Sequence, residues 1–303
     1  MFALKEVGTM SRHESLRVFA FLFMLVALPG CENSVDSTSG FDDVYLHIRA
    51  SWSPDGKTIA FTSNVQNATG IFLMDSSGGN VRQIYSGDGV GLTWSPDGKW
   101  LAFGQVGTLY KIKPTGDSLT VVTDVVGAIR PAWSPNGTKI AFVQRSPGFG
   151  IWIYDFSRNA ATQLLSYGDF PSWNPLTGEL VVLSSQFDQN TGYVFYTYSA
   201  IDTTGTNVRS LGSFATAADC GFSPISPKGN AIVLGVKRPD DYAQVWIYDL
   251  LAMTITRLTD DGGDYPNWNP DGTKIVFTRT QTGDGGLWVM NADGSNKRRL
   301  TKP

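Results

Sequence analysis

The chain has 303 residues, 42% of them hydrophobic and 12% aromatic, with a formal charge of −3. Such a composition is globular and the length suffices for a large core, while the lack of a basic stripe excludes a nucleic-acid partner. Of two cysteines, Cys31 and Cys220, and two histidines, His13 and His47, the N-terminal pair falls in the address segment described next, and Cys220 with His47 alone is too few to build a zinc site.

The first feature in chain order is an address. Residues 18–28, VFAFLFMLVAL, form an apolar run of signal-peptide length, preceded by Arg12 and Arg17 and followed by the small Gly30. The run is shorter than the roughly 20 residues that span a bilayer. Met10 is the more natural start, so residues 1–9 read as an extension of the true beginning. Leu28-Pro29-Gly30-Cys31 resembles a bacterial lipobox. The resemblance implies that Cys31 is the acylated first residue of a mature lipoprotein. Glu32 in place of aspartate favours the outer membrane, with the protein facing the periplasm. Residues 1–30 are therefore assigned to the signal, 31–43 to a polar flexible tether and 44–303 to the fold.

Beyond the tether one unit repeats six times. Trp52-Ser53-Pro54-Asp55-Gly56 recurs at Trp94-Ser95-Pro96-Asp97-Gly98 and at Trp133-Ser134-Pro135-Asn136-Gly137. Looser copies stand at Trp173-Asn174-Pro175, Phe222-Ser223-Pro224 and Trp268-Asn269-Pro270-Asp271-Gly272. The successive spacings of 42, 39, 40, 49 and 46 residues match a four-stranded propeller blade. In each copy a strand ends at the aromatic residue, and Pro, Asp and Gly make a turn. A second strand follows, such as Thr58-Ile59-Ala60-Phe61, then a third, such as Ile151-Trp152-Ile153-Tyr154, and an outer one, such as Arg257-Leu258-Thr259. The expected fold is all-β: six blades of four antiparallel strands. The motif aromatics are expected to fill the gaps between blades, and residues 41–48 to add a strand to the last blade. Copies four and five carry inserts near 187–191 and 214–218.

The run W-S-P-D-G-K, then I-A-F, an I-W-V-M-D-like strand and an R-L-T-like strand resembles the repeat of TolB-like propellers (the WD40-like, PD40-type class) over roughly residues 49–302. TolB itself is a soluble periplasmic protein with an N-terminal α/β domain, whereas this chain has a short tether and a lipobox. The resemblance implies a propeller that binds other envelope proteins over one face.

Catalytic constellations are sparse. His47 is the lone histidine after the signal, no G-x-S-x-G elbow occurs, and Asp55, Asp97 and Asp271 sit in turns that want aspartate for backbone reasons. The acidic loop 260–264 lacks the spacing of an EF-hand. No enzyme activity, cofactor or metal is expected. Loops joining the blades fall on one face with the hairpins between second and third strands. There the channel mouth is expected to carry Arg49, Arg130, Asp169, Phe170, Asp219, Asp264 and Tyr265, a mixture suited to a protein or peptide partner. The expected function is a monomeric, non-enzymatic envelope scaffold held to the membrane through Cys31. The alternative is a carbohydrate-active or sugar-binding propeller that uses channel carboxylates.

Overall fold

The computed structural model describes residues 47–64, 69–123, 125–146, 148–216, 219–221, 224–237, 242–280 and 285–301, all within the compact unit Gly40–Pro303. They form six four-stranded antiparallel sheets in a ring, each from four strands consecutive in the chain, with no α-helix among the described residues. The expected six-bladed propeller is the observed fold.

The repeat motif makes its turn by a fixed bonding scheme. The Ser53 N–H donates to the Thr58 carbonyl at 2.8 Å, and the Gly56 N–H to the Ser53 carbonyl at 2.9 Å. Ser53 Oγ donates to Asp55 Oδ1 at 2.6 Å, and that oxygen also accepts the Lys57 N–H at 3.1 Å. Ser95 with Asp97, and Ser134 with Asn136, repeat the arrangement. These aspartates are spent on the turn. The serine hydroxyl is the main reason the Asp55 and Asp97 carboxyls titrate below the ordinary range.

Second strands are buried almost end to end, as in Thr58–Ser63, Lys139–Gln144 and Ala231–Lys237. Outer strands such as Thr254–Arg257 are exposed throughout. A continuous apolar run signals a strand covered on both faces, and here the covers are the two neighbouring blades. The core is accordingly a ring of six apolar layers, one per blade interface. Ile71 and Leu73 of blade one meet Leu92 and Phe103 of blade two. Val181 and Tyr198 of blade four meet Leu234 and Tyr248 of blade five.

Three details depart from expectation. Blade five takes its motif three residues later than the sequence suggested. Ile225 bridges Ile232 as Trp268 pairs Ile275. The Ser226 N–H reaches the Ala231 carbonyl, and the Gly229 N–H the Ser226 carbonyl, as in the other turns. The copy is therefore Ile225-Ser226-Pro227-Lys228-Gly229, and a branched aliphatic residue replaces the aromatic. Phe222 and Ser223 lie outside the described residues.

The second departure concerns closure. His47 and Ile48 pair with Ser63 and Thr62 inside blade one, and the last blade is completed by Arg298–Arg299 against Val289 and Trp288. Apolar packing closes the seam, with Trp52, Phe61 and Met74 against Val276, Leu287 and Leu300. Arg298 donates across it to the carbonyls of Ser76 and Ser77 at 3.1 and 3.3 Å. Residues 41–46 of the expected closing strand lie outside the described residues.

The third is in blade four, whose strands Leu180–Asp188, Tyr193–Ile201 and Val208–Thr216 each run nine residues. Of the expected inserts, Phe187 and Asp188 continue a ladder paired without interruption from Leu180↔Ile201 to Asp188↔Tyr193, and residues 189–191 fall in its turn. Phe214 to Thr216 continue the outer strand of the same blade, while 217 and 218 lie outside the described residues. The second strand runs four residues beyond the level of Ser184, where Arg279 ends the equivalent strand of blade six. That is a projection of about 13 Å.

Candidate functional site

The candidate site lies on the innermost strands, where a common irregularity recurs. Pairing in blade one jumps from Ile48↔Thr62 to Ser51↔Ala60, so that Arg49 and Ala50 oppose Phe61 alone. The same bulge occurs at Gly91-Leu92, Arg130-Pro131, Phe170-Pro171 and Tyr265-Pro266. Its first residue is left-handed in every case: φ is 55° at Arg49, 68° at Gly91, 52° at Arg130, 50° at Phe170 and 48° at Tyr265. Glycine is the natural occupant of such a position, and only blade two supplies it. Four bulky residues held there at a cost of about 1–2 kcal/mol each mark a place where side-chain identity outweighs backbone comfort. Each stands three residues before its motif tryptophan. The corresponding residue of blade five is Phe222, outside the described residues.

Four of the expected site residues meet as two similar units. In Asp169-Phe170-Pro171 the Phe170 N–H donates to Asp169 Oδ1 at 2.7 Å, and in Asp264-Tyr265-Pro266 the Tyr265 N–H donates to Asp264 Oδ1 at 2.8 Å. An arginine from an adjacent blade covers each ring. The Arg130 guanidinium lies 4.1 Å from the Phe170 centroid, and that of Arg49 lies 5.1 Å from the Tyr265 centroid. Arg130 Nη1 also donates to both Asp169 oxygens, at 2.7 and 2.5 Å, and Arg145 Nη2 approaches Asp169 at 3.8 Å. Arg145 was not foreseen; it follows the second strand of its blade at a position that reads as an ordinary loop start.

The two carboxylates differ in surroundings. Asp264 is pushed above the ordinary carboxyl range by burial, which the Tyr265 N–H, Arg49 and Lys237 only partly offset. Asp219 does not join these residues by register. It pairs with Lys237, two residues beyond the level at which Gly221 pairs with Gly235 as the counterpart of Asp264. The cause is the three-residue shift of the blade-five motif. Cys31 lies outside the described residues. In the acidic loop, Asp261 is engaged by Arg279 and Lys297.

The central cavity has a volume of about 450 Å³. Arg130 and Phe170 stand at its inner level, and its walls carry Trp52, Trp133, Trp173 and Trp268. Its rim holds one motif proline from each blade: Pro54, Pro96, Pro135, Pro175, Pro227 and Pro270. The cavity therefore opens between the motif turns, at the end of the channel opposite the blade-joining loops where the sequence reading set the partner face. Those prolines were legible only as turn formers. That six of them make one rim follows from the ring. The lining is mixed, with tryptophan and proline walls and polar groups from Arg130, Ser51, Thr93, Ser172, Asn267 and Asn269, and a cleft of apolar walls with a few placed polar groups is the usual composition of a binding pocket. Among the described residues no three His, Cys, Asp or Glu side chains are grouped so as to hold a metal ion.

Comparison with known proteins agrees with this architecture. Residues 42–224 match the family described as the TolB beta propeller domain. A stretch of 35 residues is 60% identical to the Protein TolB homolog of Protochlamydia amoebophila, covering 11% of this chain and 8% of that one. The fold is similar to TolB from Acinetobacter baumannii, with a TM-score of 0.62, 19% identity, and coverage of 84% of this chain and 62% of that one. It is also similar to an oligogalacturonate lyase solved with manganese, with a TM-score of 0.53, 17% identity, and coverage of 84% and 78%. The chain thus spans less than two thirds of either TolB relative. With more than half of its length matched, the chain belongs to the TolB beta propeller domain family.

Proposed function

We propose that the protein is a non-enzymatic scaffold of the bacterial envelope, anchored through an acylated Cys31, which receives a segment of a protein partner in the channel of its propeller. The observation that carries this reading is the ring of left-handed residues Arg49, Arg130, Phe170 and Tyr265: neighbouring blades hold four bulky side chains in a conformation that glycine would adopt at less cost, and strain repeated at one level of the channel supports a role in binding there. Aromatic rings and arginines are the side chains on which protein partners spend most binding energy. The TolB-like repeat and the lipobox-like Leu28-Pro29-Gly30-Cys31 both support an envelope location. Asp169, Asp264 and Asp219 belong to the proposal as flanking acids, the first two through the arginines they face.

The test is a crosslinking pull-down from native envelopes with the full chain. One envelope protein should be recovered with the wild type and lost with the Arg130→Ala/Tyr265→Ala double variant, whose melting curve confirms that it is folded. Equal recovery by the two would remove the channel from the reading.

A second reading starts from Asp264, whose carboxyl is wedged against Gly235 of the neighbouring blade and held by the Tyr265 N–H. Burial there pushes its pKa upward, the direction a general acid in a sugar-processing channel needs. Turnover of an acidic oligosaccharide by the wild type, abolished in Asp264→Asn, would replace the scaffold with an enzyme.

A further inference from the structure

Six aromatic side chains stand out in solvent among the described residues: Phe149, Tyr167, Phe187, Tyr193, Phe195 and Tyr242, with exposures of 38–53%. All six lie at one end of the ring. Phe149, Phe187, Tyr193, Phe195 and Tyr242 flank hairpins between second and third strands, and Tyr167 lies in the connection from blade three to blade four. Antiparallel order places both kinds of segment on the blade-joining face. Val106, 95% exposed, and Val126, 67% exposed, extend the same surface across blade two. The loops beneath them are tied together, with the Ala128 N–H on the Gly107 carbonyl at 2.9 Å and the Arg145 N–H on the Gly127 carbonyl at 3.0 Å. The projecting hairpin of blade four carries three of the six rings at the furthest reach of this face. The cavity opens at the other end.

The chain also enters the propeller through this face. The first inner strand, His47–Trp52, runs from the blade-joining level to its motif turn, so the polypeptide ahead of His47 joins here. Between Cys31 and His47 stand 15 residues, which fully extended span about 50 Å. We propose that the blade-joining face rests on a lipid bilayer surface, with these aromatics at headgroup level, while the cavity faces away into the aqueous compartment. The proposal rests on the anchor at Cys31 for its tether and adds the orientation of the propeller. Phenyl and phenol rings spread over hairpins at one end of the ring suit the interfacial layer, where amphipathic rings partition. Asp188, at the tip of the projecting hairpin, speaks against an anionic surface and points to a zwitterionic one.

The test uses full-length protein purified from bacterial membranes and reconstituted in phosphatidylcholine vesicles, in a Cys220→Ser background. Spin labels are placed through Phe195→Cys on the blade-joining face and Leu251→Cys on the opposite one, where Leu251 is 83% exposed. Collisional relaxation should report the label at 195 as accessible to oxygen and shielded from an aqueous nickel chelate, and the label at 251 as the reverse. Two labels that are equally aqueous would overturn the docking. So would a label at 195 shielded from both reagents, the mark of protein contact. Flotation reads the anchor separately. Wild-type protein that floats while Cys31→Ser does not supports the anchor, whatever the labels report. Wild-type protein that fails to float overturns anchor and docking together.

Discussion

Asp264 of blade six sets its carboxylate in the space that a Cβ on Gly235 of blade five would occupy. Gly235 lies mid-strand, paired with Gly221 and Val245, where glycine weakens a strand and marks a close approach. The approach here is that of a carboxyl held by the Tyr265 N–H. Gly235→Ala must expel it or shift the blade, and is expected to cost about 1–3 kcal/mol, measured by denaturant unfolding.

The same carboxyl makes stability depend on pH in an unusual direction. Its folded pKa is raised above the unfolded value of about 3.9. The folded state therefore binds the proton more tightly, and its contribution is full below the unfolded pKa and is lost as pH rises through the folded one. Asp264→Asn keeps the acceptor for Tyr265 and removes the buried charge. It should melt higher than the wild type at pH 7, with the difference shrinking toward pH 4. A difference that grew on acidification would show that the ionised form is the stabilised one.

Left-handed residues offer a second measurement. Val106, at φ 46° on an exposed hairpin, is a β-branched residue in a conformation that favours asparagine or glycine. Val106→Asn should raise stability by about 1 kcal/mol. Phe170→Gly relieves the same kind of strain but removes the ring on which Arg130 lies, so no net gain is expected. A matching gain at both sites would mean that the Arg130–Phe170 stack adds nothing to stability.

The motif tryptophans are not equivalent. Trp94, Trp173 and Trp268 each donate Nε1 to a carbonyl of the preceding blade, at Ser51, Ala132 and Pro224. Trp133 instead bonds Gly137 in its own turn, and Trp52 at the seam has a buried Nε1 without an acceptor. Replacing each by phenylalanine should therefore cost about 1 kcal/mol more at Trp94, Trp173 and Trp268 than at Trp52. A uniform series would show that ring volume alone sets the cost.

Much of this molecule was legible as a pattern. A turn that needs proline, a hydroxyl or amide acceptor and glycine in fixed order announces itself wherever it recurs, and the recurrence set the blade count. Blade five misled because its turn is preceded by Ile225 instead of an aromatic residue, while Phe222-Ser223-Pro224 offered a nearer likeness three residues early. The error displaced Asp219 from the level of its supposed equivalents.

The sequence by itself determined the all-β class, the six units and the turn chemistry, because these depend on contacts within a few residues. Only the tertiary structure decided which residues share a place. Arg49 reaches the Tyr265 ring across more than 200 residues, six turn prolines become one rim, and Gly235 makes room for Asp264, because ring closure sets distances that no local pattern encodes. The left-handed bulges belong to that second group: nothing in Arg49, Arg130, Phe170 or Tyr265 favours φ > 0, and neighbouring blades hold them there.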